Sequence, residues 1–163
     1  MRVLGIDPGS KITGYGVIER RAGSTVCIDC GTIRGGKGSL PDRLVAIDDG
    51  FRAVVEEFSP AAIAIENAFL GQNVKALAVM SQTRGVLLLA ARRANLPVHE
   101  YAPREVKRSV VGNGGASKSQ VAYMVGSLLG LGEVDLPTDA TDSLAVALCH
   151  LHRDRVPTAS RHN

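Results

Sequence analysis

The sequence lacks an uninterrupted apolar run near the ~20 residues that a bilayer-spanning helix needs, so no membrane span is expected. It also lacks the design of a secretory leader: Met1-Arg2-Val3-Leu4 enters an apolar, strand-like segment at once. The cytoplasm is therefore the expected compartment. Internal repeats, low-complexity stretches and linkers are missing too, and 163 residues are too few for two ordinary domains. Residues 1–155 are expected to form one domain, with 156–163 a frayed tail.

Cysteine is scarce, with Cys27 and Cys30 three apart and Cys149 far away. A C-x-x-C pair invites a redox or zinc reading, but no second pair or nearby histidine completes a zinc site. Alternation along a strand sends the two thiols to opposite faces, so free, buried or half-buried thiols are expected. Excess charge is small as well, a net of +3, yet it is unevenly spread. Residues 41–70 hold six acids against two bases, whereas residues 71–120 hold eight bases against two acids. The basic set is Lys75, Arg84, Arg92, Arg93, Arg104, Lys107, Arg108 and Lys118. Such a regional excess is the footprint of a polyanionic partner, although a solvated basic face has the same composition.

What is present reads as an α/β chain. Residues 2–7, 13–19 and 25–33 are three strands with short, antiparallel connections. A helix opens at Ser39 or Leu40-Pro41, with Leu44, Ile47, Phe51, Val54, Val55 and Phe58 at helical spacing. Ala61–Glu66 is a fourth strand, residues 73–94 a long apolar helix and residues 97–101 a fifth strand. Short helices from Pro103 and Ser117 and a last one after Pro137 follow, with a flexible loop at Gly112–Gly115. Alternation of helices and strands after the first helix implies parallel pairing. A mixed five-stranded sheet with helices on both faces is the result.

Asp7 ends the apolar strand Val3-Leu4-Gly5-Ile6, and Glu66 ends Ala61-Ala62-Ile63-Ala64-Ile65. In open sheets with parallel strands, ligands gather beyond the carboxyl ends of those strands. Asp139 and Asp142 lie three apart at the start of a helix, which puts both carboxylates on one face. Each acid alone has a bland explanation, as a solvated strand end or a helix cap. Gathered at one sheet edge, however, four carboxylates repel one another unless hard cations hold them. Two magnesium ions ~3.5–4 Å apart would suit the hydrolysis of a phosphodiester, with the basic residues meeting its phosphates.

The motifs in order resemble the RuvC family of Holliday-junction resolvases. The match is carried by Gly5-Ile6-Asp7-Pro8-Gly9-Ser10 with Thr13-Gly14-Tyr15-Gly16, by Ile65-Glu66-Asn67 with Phe69, and by Gln82-Thr83-Arg84-Gly85. It continues through Tyr101-Ala102-Pro103-Arg104-Glu105-Val106-Lys107, Val111-Gly112-Asn113-Gly114 with Ser117-Lys118-Ser119-Gln120, and Asp139-Ala140-Thr141-Asp142. The resemblance covers about residues 2–150 and implies a ribonuclease-H-like fold, a homodimer and magnesium-dependent, paired nicking of four-way junctions, with manganese able to replace magnesium. It implies that Asp7, Glu66, Asp139 and Asp142 are the catalytic, metal-binding acids, and that Lys107 and Lys118 support catalysis and bind phosphate. Phe69 would contact unstacked junction bases, and the RuvA–RuvB branch-migration complex would be the partner. On the residues alone, a phosphate-binding ATPase half-domain, a non-catalytic DNA-binding protein and a nuclease with another substrate stay open.

Overall fold

The computed structural model describes residues 1–67, 73–132 and 135–154. β1 (Arg2–Asp7) is buried at its four central positions because it runs between two neighbours with helices above and below. It pairs antiparallel with β2 (Ile12–Arg21) and parallel with β4 (Ala62–Glu66). β3 (Ser24–Arg34) lies outside β2, and β5 (Val98–Tyr101) lies parallel outside β4. The sheet order is thus β3-β2-β1-β4-β5, the mixed five-stranded sheet that the strand pattern implies.

Alternation along the strands separates two cores. Leu4 and Ile6 of β1, with Ile63 and Ile65 of β4, pack against α1 (Leu40–Phe58) through Ile47, Phe51 and Val54, and against α2 (Val74–Arg93) through Leu87, Ala90 and Ala91. Val3 and Ala64 face the other way, toward α3 (Pro103–Val111), α4 (Lys118–Leu129) and α5 (Thr138–Arg153). Helix starts follow local chemistry. Ser39 caps α1 in a reciprocal bond with Asp42, Asn73 caps α2 through the amide of Ala76, and Ser117 with Gln120 caps α4.

α5 is the central helix of its layer and sits directly on backbone. A Cβ at Gly5 would lie 2.0 Å from the carbonyl oxygen of Ser143, and one at Gly14 would lie 1.9 Å from that of Asp139. Only glycine permits this approach. Gly14 is also the cross-strand partner of Asp7, so the seat brings the first turn of α5 over the end of β1.

One expectation needs correction. The register between β2 and β3 shifts between Val17 and Ile18, where Val17 faces Asp29 and Ile18 faces Cys27. Ile28 is the extra residue of a bulge, and an extra residue inverts the alternation beyond it. Cys27 and Cys30 therefore share one face, against the α3–α5 core, instead of pointing apart. All three cysteines are free thiols. α2, at 20 residues, is the one helix among the described residues long and apolar enough for a membrane span by length and composition alone. It carries Lys75, Arg84, Arg92 and Arg93, and its buried side covers the sheet, but much of its apolar surface is left open. The predicted tail falls outside the described residues.

Candidate active site

Asp7 and Glu66 reach one place through strand register. The parallel ladder runs Gly5 to Ala64 and Ile6 to Ile65, so Asp7 and Glu66 are the next pair in line. Both share the parity of Val3 and Ala64 and thus face α5. The turn after Asp7 is pinned by Thr13, which is fully buried. Its hydroxyl donates to the Gly9 carbonyl at 2.7 Å and accepts from the Gly9 amide at 3.2 Å. On the other side of the cluster, Asp139 and Asp142 occupy the first turns of α5.

The electrostatics show how tightly these acids are grouped. Burial, then the charges of Glu66, Asp142 and Asp139, push the Asp7 carboxyl up to about 7. Glu66 is raised as well, first by burial and then by Asp142. Lys118 Nζ donates to Asp142 Oδ2 at 2.9 Å, and that bond holds the ammonium above its ordinary range. Lys107 joins Glu66, Lys118 and Asp142 around a cavity of about 180 Å³ floored by Val106 and Val121. A larger cleft, about 570 Å³ along α4, is lined by Tyr123, Asp135 and Leu136 and holds none of the four acids. Charge rather than size distinguishes the smaller one.

The four predicted acids thus converge, and both predicted lysines face them. Among the described residues, no three His, Cys, Asp or Glu side chains close around a single point as a finished metal cage. The donor set of hard carboxylate oxygens with a deficit of positive charge fits divalent cations. Phe69 lies outside the described residues.

Arg84 departs from its expected role. Its place in the basic set puts it with the phosphate-facing bases, yet its Nη2 donates to Asn67 Oδ1 at 3.0 Å and pairs with Glu100. It ties α2 to the residue after Glu66 and to β5, while the Asn67 amide donates to the Tyr101 carbonyl at 2.9 Å. A base isolated within an apolar helix was the available signal, because a half-buried guanidinium requires a partner.

A family profile described as "Crossover junction endodeoxyribonuclease RuvC" matches residues 3–150. A protein of that name from Chlorobaculum parvum is 46% identical over 154 residues, 94% of this chain and 82% of its own length. Another from Chloroflexus aggregans is 44% identical over 162 residues, covering 99% of this chain and 98% of its own. T. thermophilus RuvC, solved in complex with a Holliday junction substrate, superposes with a TM-score of 0.89 at 32% identity over 95% of each chain. The yeast mitochondrial Holliday junction resolvase Ydc2 matches at a TM-score of 0.63 and 18% identity, over 92% of this chain and 78% of its own, a likeness of fold alone.

Proposed function

The chain belongs to the RuvC family of crossover junction endodeoxyribonucleases, and from that premise we propose how its own residues resolve a four-way junction. It is a metal-dependent endonuclease of ribonuclease-H-like fold that resolves Holliday junctions in recombination and repair. The observation that carries the reading is one sheet edge where four carboxylates meet two lysines.

Asp7, Glu66, Asp139 and Asp142 are the catalytic acids and metal ligands in this proposal, with magnesium as the ion and manganese as its substitute. Two such ions would activate a water and neutralise charge on the leaving oxygen of the phosphodiester. Asp7 and Glu66, fixed at adjacent strand ends, hold one side of the site. Asp139 and Asp142 hold the other from a helix seated on backbone. Lys118 neutralises Asp142 in the free site and would be free to bond a phosphate oxygen where a cation held that carboxylate instead. Lys107, across the cavity, meets the same phosphate group. Phe69 stacks on an unpaired base at the junction, which is worth ~1–3 kcal/mol.

Residues 1–155 act as one nuclease domain in the cytoplasm. A two-fold homodimer supplies two sites for paired nicks on a nearly two-fold substrate. The open apolar surface of α2, with Val74 at 77% and Leu89 at 52% exposure, supports that assembly. The RuvA–RuvB complex is the partner that delivers junctions. The test is cleavage of a synthetic four-way junction beside a linear duplex of the same sequence, in magnesium. Paired symmetric nicks confined to the junction are expected, and equal cutting of the linear duplex would overturn the assignment. Phe69→Ala should keep cation binding and lose junction cutting.

A further inference from the structure

Cys27 and Cys30 form a second chemical feature, remote in function from the acids. In a regular strand, positions three apart face opposite ways. Here the extra residue Ile28 turns both thiols to the same side of β3, an edge strand, while Ile28 itself packs on the opposite core. Their cross-strand partners make the spacing explicit: Cys27 is opposite Ile18 and Cys30 is opposite Gly16. The two cysteines therefore span the length of two strand residues, not three. That is ~6.7 Å between Cα atoms, within the ~4.4–6.8 Å that a disulfide bridges. Both cysteines are half-buried and so within reach of solvent, and each thiol shifts the other's ionisation.

We propose that Cys27 and Cys30 are a reversible redox site, closed into an intramolecular disulfide by exchange with a small-molecule disulfide. Either thiolate can attack, and with Cys30 as the attacking sulfur the neighbouring Cys27 thiol is the nearby proton source. The Cys30 thiolate displaces one thiolate from the small disulfide and leaves a mixed disulfide on Cys30 Sγ. The expelled thiolate takes the Cys27 proton. Cys27 then attacks Cys30 Sγ and expels the second small thiolate. Two protein thiols are oxidised, one small disulfide is reduced to two thiols, and atoms and electrons balance. Cys149, fully buried in α5, takes no part and serves as an internal control.

The experiment treats the native full-length chain with a graded ratio of oxidised to reduced glutathione, then quenches, denatures, alkylates and weighs it. The expected result is joint loss of the Cys27 and Cys30 thiols, with two hydrogens missing from the intact mass and Cys149 still alkylated. Stable glutathione adducts on both residues without ring closure, or two untouched thiols, would overturn the proposal. Cys27→Ser should trap glutathione on Cys30, since no second thiol remains to release it.

Discussion

The two ends of α5 contrast in how their polar groups are satisfied. At the C-terminal end, the Tyr101 hydroxyl and His150 Nδ1 share a 2.8 Å hydrogen bond, and the His99 ring lies 4.4 Å from that of His150. Arg153 pairs with Glu105 and lies over the Tyr101 ring, and Arg20 reaches the Leu151 carbonyl and Asp154. At the N-terminal end, the carboxylates of Asp139 and Asp142 join those of Asp7 and Glu66, and the added charge pushes the Asp7 and Glu66 carboxyls up. One helix thus carries a closed polar network and an open one. Closed networks serve stability, whereas an open cluster of like charge is costly unless a ligand completes it.

The largest effect that would sharpen this contrast is on cleavage. Asp142→Asn removes a ligand from the open end and should lower junction cutting by ~10³-fold or more while leaving junction binding intact. Gel-based cleavage and binding assays on the same junction check both halves. Next comes a gain in stability. Asp7 has its folded value raised from 3.8 to about 7, so its contribution is fully present below 3.8 and lost as pH rises through 7. In chelator at pH 8 the ionised group burdens the fold, and Asp7→Asn should stabilise the protein by up to about 4 kcal/mol in urea unfolding. The same substitution at pH 3 should gain nothing.

Lys118→Ala should cost cutting ~10²-fold, the usual loss for one charge-stabilising donor. Single-turnover rates in saturating magnesium test it. At the closed end, Tyr101→Phe leaves His150 Nδ1 unpaired and should cost ~1–3 kcal/mol of stability with cutting per folded molecule unchanged. The smallest effect is the opposite pH sign there. Burial, then His99, holds His150 below its ordinary 6.5, so its contribution is present above that value and is lost as pH falls. His150→Phe should flatten the acid side of the stability profile below pH 6.5, and an unchanged profile would remove His150 from the account.

The open end was legible in the sequence because its signals are local. An acid closing each of two apolar strands, and two acids three apart in a helix, are patterns that periodicity exposes. Strand parity then made Asp7 and Glu66 face α5, and Gly5 and Gly14 let the helix close on them. The closed end was not legible, because Tyr101 and His150 are 49 positions apart and meet only through packing. Arg84 was misread for the same reason, since its partners Asn67 and Glu100 belong to other elements. The face of Cys30 was missed because one bulge residue inverts parity without any turn-forming residue to announce it.

The central question for the open end of α5 is whether Asp7 completes a cation site. Thermal unfolding at pH 8 with increasing magnesium, run beside junction cleavage for wild type and Asp7→Asn, measures that. Wild type should gain stability as the cation is added, ~2.7 kcal/mol at a hundredfold excess over its dissociation constant, and should nick the junction in symmetric pairs. Asp7→Asn should start more stable, gain little from magnesium, bind the junction and leave it uncut. Equal cation response and equal cutting by the two proteins would contradict the account.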